Sequence, residues 1–70
     1  MHRTPVDSRA VTSVGYDPSL QVLEIEYKPA GVYDYFDVPL EVFEKLLVAE
    51  SIGEYVNGKV KPYFDFQKVD

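Results

Sequence analysis

Cysteine and tryptophan are absent from the 70-residue sequence, methionine and histidine occur once each, and acidic residues outnumber basic ones twelve to seven. Each shortage excludes something. Without cysteine, no disulfide or thiolate–zinc site can staple the fold, and small extracellular domains commonly need one. A cytoplasmic setting is therefore expected. The one histidine, His2, sits in the polar amino-terminal stretch, so no serine or cysteine nucleophile has a histidine base to work with. No run of 18 apolar residues occurs and residues 1–9 contain no apolar run, so neither a membrane span nor a signal peptide is expected. Gly15, Gly31, Gly53 and Gly58 are too scattered for a phosphate-cradling loop. The net charge of −5 argues against nonspecific attachment to phosphate backbones or anionic membranes.

What the chain does hold is aromatic surface: six tyrosines and four phenylalanines in a sequence that is 46% hydrophobic. A chain this short forms one domain over residues 1–70 and buries only about 60% of the surface its unfolded form exposes. Each aromatic ring can bury ~150–250 Å², which makes aromatics an efficient way to build a thin core. Charge is distributed unevenly. Residues 11–58 carry nine acidic side chains against Lys28 and Lys45 alone. The flanking stretches hold Arg3, Arg9, Lys59, Lys61 and Lys68 against Asp7, Asp65 and Asp70. If folding brings these stretches together, they form a modest basic patch on an acidic body.

In chain order, residues 1–8 read as a flexible polar arm in which Pro5 excludes regular structure. A strand follows over Ala10–Tyr16, with Val11 out of step and marking a twist or bulge. Asp17-Pro18-Ser19 is a turn. From Leu20 to Lys28 the alternation is clearest: Leu23, Ile25 and Tyr27 share one face, Glu24, Glu26 and Lys28 the other. Pro29-Ala30-Gly31 turns the chain back into a third strand, Val32–Asp37. Burying Asp34 without a partner would be costly, so Tyr33 and Tyr35 are assigned to the helix-covered face, and Phe36 to a partly exposed position or one wrapped over an edge. Pro39 opens a helix, with Asp37 or Val38 as the cap and Val42, Phe43, Leu46, Leu47 and Ala49 as its apolar stripe. Ser51-Ile-Gly-Glu54 fits a capping box and announces a second helix. Asn57-Gly58 would suit either a helix end or a hairpin turn. The inward spacing of Ile52, Val56, Val60 and Tyr63 favours a helix continuing weakly to about Lys61. Tyr63–Phe66 alternates like a last short strand. The expected fold is α+β: a three-stranded antiparallel sheet, a short fourth strand near the carboxy end, and two helices packed on one face.

No catalytic constellation is visible, and an enzyme is not expected. Glu24 and Glu26 share an outward strand face, where a solvated, aggregation-resistant surface accounts for them. Asp34 with Asp37, or Asp65 with Asp70, lacks the pattern of a calcium loop; no metal or cofactor is expected. The tyrosines are the better lead. One reading lines the core with them, hydroxyls at the rim. The other exposes Tyr33 and Tyr35 on the sheet, where aromatic faces stack bases or anchor a protein. Arg9, Lys59 and Lys61 would then contact phosphates.

An ordered set of short segments extends these readings: Pro5-Val6 with Ser8, Val14-Gly-Tyr-Asp17, Leu23-Glu-Ile25, Gly31-Val-Tyr-Asp-Tyr35, Val38-Pro39, Ala49-Glu-Ser-Ile-Gly-Glu-Tyr55, and Val60-Lys61 with Tyr63. Over about residues 5–66 the chain resembles the KTSC domain, which occurs at the carboxy terminus of some lysyl-tRNA synthetases and as free-standing bacterial or phage proteins. The association with a synthetase implies RNA as a partner, with Tyr33, Tyr35, Pro39, Ser51, Gly53 and Tyr55 as motif residues. Aminoacylation is not implied. A protein partner, meeting the tyrosine-bearing sheet or the acidic helix surface, is the alternative.

Overall fold

A computed structural model describes residues 2–70. Among these, five strands form one antiparallel sheet: Thr4–Pro5 (β1), Val11–Asp17 (β2), Val22–Tyr27 (β3), Gly31–Tyr35 (β4) and Phe66–Lys68 (β5), in the spatial order β1-β2-β3-β4-β5. Between β4 and β5 the chain forms two helices, Leu40–Leu47 (α1) and Ile52–Tyr55 (α2), the latter continued by π-helical turns over Val56–Val60. The class is α+β. The sheet is wider than the three strands and short fourth expected from sequence.

Local chemistry explains the central elements. The β2–β3 register shifts between Val11 and Ser13, which is the irregularity that Val11 marks in the sequence. Asp17 Oδ1 accepts from the backbone N–H groups of Ser19 (3.0 Å) and Leu20 (3.2 Å), closing the turn into β3. Gly31 begins β4 at φ +106°, where a Cβ would collide with the Asp70 carbonyl oxygen. Asp37 takes a left-handed conformation (φ 58°), and Pro39 is the cap of α1 rather than its first helical residue. The Glu54 N–H donates to Ser51 Oγ at 3.3 Å, the capping contact the sequence announces. Asn57-Gly58 lies inside the π-helical turns and neither ends the helix nor makes a hairpin.

The core lies between the sheet and the helices. Val11, Val14, Leu23, Ile25 and Tyr35 meet Leu46, Val56 and Val60 there, with Val38 sealing the approach to α1. Tyr16 Oη donates to the Val38 carbonyl and its ring stacks on Phe43, 5.2 Å between centroids. Leu47, expected in the apolar stripe, is exposed; it stands about 100° round the helix from buried Leu46.

Three further expectations are corrected. Thr4 and Pro5 are not outside regular structure but pair with Val14 and Ser13; the sheet edge is where a residue without an N–H is tolerated in a strand. Tyr63 does not face inward and is 70% exposed, because the helix stops and turns before it. The basic stretches do not merge, since a sheet in sequence order places β1 and β5 at opposite edges.

The sheet's other face is polar. Arg3 Nη1 donates to Glu24 Oε2 at 2.8 Å and Arg3 Nε to Ser13 Oγ at 3.1 Å, while Ser13 Oγ donates to Glu26 Oε1 at 2.9 Å. Gly15 makes room for this arrangement: a Cβ there would lie 2.5 Å from the His2 carbonyl oxygen. Asp34 is directly opposite Glu24 across the β3–β4 pair, and its buried Oδ1 has no hydrogen-bond partner. Burial, and then the Glu24 carboxylate beside it, push the Asp34 carboxyl up to about 6, with Arg3 pulling in the opposite direction. A raised folded-state pKa means that the folded protein holds a proton the unfolded chain has released. Asp34 therefore contributes stability at low pH that is lost as pH rises from about 4 through about 6. Urea unfolding of Asp34→Asn should show a variant more stable than the parent at pH 7. The difference between the two proteins should shrink as pH falls toward 4; a difference independent of pH would refute this account.

Candidate functional site

The β4 register builds an aromatic cluster at one end of the helix-covered face. Tyr35 lies opposite Leu23 on β3 and Phe66 on β5; Tyr33 lies opposite Ile25 and Lys68. Tyr27, at the end of β3, joins them, and Lys61 reaches in from just beyond the π-helical turns. Together with Ala30 these residues line a cleft of about 270 Å³, with Tyr27, Tyr33, Tyr35 and Phe66 supplying aromatic walls.

Ring contacts fix the walls. Tyr27 and Tyr33 meet edge to face at 5.5 Å, and Phe66 tilts against Tyr33 at 5.7 Å and Tyr35 at 5.8 Å. The Tyr27 and Tyr35 hydroxyls share a hydrogen bond of 2.6 Å. Burial, reinforced by that bond, pushes the Tyr27 phenol well above its ordinary pKa. Burial also raises Tyr35. Both phenols stay neutral at physiological pH, so this part of the wall presents no negative charge. Lys61 Nζ stands 5.0 Å from the Tyr27 ring centroid, a cation–π distance.

The residues singled out from sequence do not all converge here. Tyr33 is half-buried in the wall, and Lys61 is exposed at the cleft. Tyr35 is only 2% exposed and belongs to the core, so its ring face is not open to a ligand. Lys59 is exposed on the π-helical turns but does not line the cleft. Arg9 lines a separate recess of about 440 Å³ with residues including Ser8, Glu50, Ser51, Gly53 and Glu54. Sequence reasoning missed Phe66 and Tyr27 as site residues. Tyr27 had a signal, since its alternation with Leu23 and Ile25 places it on the face of Tyr33. Phe66 had only a weak one, because its position depends on β5 returning to pair with β4. Among the described residues no group of three or more histidine, cysteine, aspartate or glutamate side chains could hold a metal ion, and no helix is long and apolar enough to cross a membrane.

The KTSC domain model matches residues 7–64. The chain belongs to the KTSC domain family. The crystal structure of a KTSC domain protein from Yersinia pestis superposes with a TM-score of 0.96 at 35% identity, covering 99% of this chain and 97% of that one. A protein of Tsukamurella paurometabola is 50% identical over 60 residues, 86% of this chain and 90% of its own length. A lysine–tRNA ligase of a Nostoc species is 37% identical over 54 residues, which are 77% of this chain but 10% of the ligase. The KTSC domain thus occurs both as nearly the whole of a small protein and as a minor part of a large one, and none of these names states a reaction for the domain itself.

Tyr35 separates a structural role from a binding one. Tyr35→Ala should cost roughly 3–5 kcal/mol, as for other large buried side chains. Tyr35→Phe, which removes only the bond to Tyr27, should cost about 1 kcal/mol. Urea denaturation of the two variants checks the difference; equal losses would contradict a packed Tyr35 ring.

Proposed function

We propose that this KTSC domain is a small non-catalytic binding module and that its partner is single-stranded RNA. One observation carries the reading: a cleft with half-buried Tyr33 and exposed Phe66 in its wall also holds an exposed lysine, Lys61. Aromatic faces accept unpaired bases with little regard to sequence, and a nearby cation supplies the phosphate contact. Neutral Tyr27 and Tyr35 add no repulsion. Lys68, opposite Tyr33, adds positive charge beside the cleft; Lys59 and Arg9, which do not line it, lie outside the proposed site. The occurrence of the domain within lysine–tRNA ligases and a cytoplasmic setting both fit an RNA partner.

A protein partner is the second reading, favoured by α1. Its outward surface carries Glu41 and Glu44 together with exposed Leu40 and Leu47, and exposed Val48 follows.

Amide NMR titration with a short single-stranded RNA, at low and physiological salt, separates the two. Expected are shifts centred on Tyr33, Lys61, Phe66 and Lys68 that weaken with salt, and roughly tenfold weaker binding by Tyr33→Ala. An unchanged spectrum at both salts would overturn the RNA reading and turn the search to proteins that bind α1.

A further inference from the structure

The segment after the π-helical turns holds more exposed aromatic surface than the fold uses. Pro62 is followed by Tyr63, Phe64 and, after Asp65, Phe66. The Tyr63 and Phe64 N–H groups both donate to the Val60 carbonyl at 3.2 Å, turning the chain sharply. The Phe36 N–H then donates to the Asp65 carbonyl at 3.0 Å and leads into β5. This turn sends neighbouring rings in opposite directions: Phe64 packs against the core, whereas Tyr63 is 70% and Phe66 59% exposed. Packing accounts for Phe64 and partly for Phe66. It does not account for Tyr63.

Tyr63 lines a second recess, of about 470 Å³, with Lys61, Pro62, Phe64, Asp65 and Phe66. Two of those residues, Lys61 and Phe66, also line the tyrosine cleft. The two depressions therefore adjoin, with Phe66 and Lys61 lining both and the Lys61 ammonium over Tyr27 on the cleft side. Each has its own further ring, Tyr33 in the first and Tyr63 in the second. The carboxylate in the second recess, Asp65, disfavours a phosphate there and accepts hydrogen bonds from an amino-bearing base. Lys61 is the basic residue that lines both recesses.

Resting on the RNA reading above, we infer that the site takes two successive unstacked nucleotides. One base lies against Tyr33 and Phe66 in the tyrosine cleft, the next lies against Tyr63 in the adjoining recess, and Lys61 contacts the phosphate that links them. The ligand class is thus a dinucleotide step within a single strand, rather than one isolated nucleotide or a duplex. A duplex keeps its bases stacked and paired, so neither recess could receive one.

The test compares adenosine monophosphate, ApA and ApApA as ligands of the full chain by NMR titration. Affinity should rise roughly tenfold or more from the mononucleotide to the dinucleotide, the gain expected of a second stacked base, and change less than about threefold on adding the third nucleotide. Tyr63→Ala, at a position the core does not use, should return ApA affinity to the mononucleotide level while leaving adenosine monophosphate binding unchanged. Lys61→Gln should reduce the salt dependence of ApA binding. Equal affinities for the mononucleotide and ApA, or a Tyr63→Ala variant that binds ApA as the parent does, would overturn the two-nucleotide site while leaving RNA binding intact. Failure of these ligands and of the longer RNA alike would overturn both readings.

Discussion

The register of β4 between β3 and β5 governs both faces of the sheet. Side chains alternate along a strand, so pairing Tyr33 with Ile25 and Tyr35 with Leu23 puts the two tyrosines toward the helices and Asp34 beside Glu24 on the opposite face. A slip of one residue would exchange the sets, bringing a carboxyl into the core and the rings into water. The same register on the other side of β4 brings Phe66 to Tyr35 and Lys68 to Tyr33. Core and cleft are consequently two parts of one aromatic row, deep under the helices at Tyr35 and open at Phe66.

The polar face shows what this arrangement costs. Glu24, Glu26 and Asp34 crowd three carboxyl groups onto neighbouring positions, and Arg3 and Ser13 offset part of their repulsion. Arg3 comes from the stretch leading into the two-residue strand β1, so an electrostatic contact helps hold the outermost strand where backbone pairing is brief. Asp34 retains a proton more readily because it is buried beside Glu24, and the pull of Arg3 offsets only part of that.

The elements legible in the sequence are those specified locally. β3 declares itself by alternation, the turn after β2 by Asp17-Pro18-Ser19, and α2 by Ser51 and Glu54, because each depends on residues a few positions apart. The placement of Tyr33 and Tyr35 on the helix-covered face was also legible, since the alternative buried Asp34. β1 and β5 were not fully legible: two and three residues carry too little periodicity, and both strands are exposed throughout. Leu47 and Tyr63 misled for one reason. Helical spacing gives an apolar residue's phase but not the breadth of the surface covering it, nor where the helix stops. The cleft was half visible. Tyr33 and Lys61 were marked, whereas Phe66 reaches them only through a pairing between β4 and β5, which are separated in sequence by both helices.

The two outermost strands also lie outside the residues 7–64 matched by the domain family. β5 nevertheless supplies Phe66, one wall of the cleft, while the buried cluster draws on no residue of β5. The proposed recognition surface thus combines core-packed Tyr27 and Tyr33 with a ring from a strand that the buried cluster does not use. A module built in this way can acquire, alter or lose a ligand preference by exchanging a few residues at its margin, with its interior left as it is.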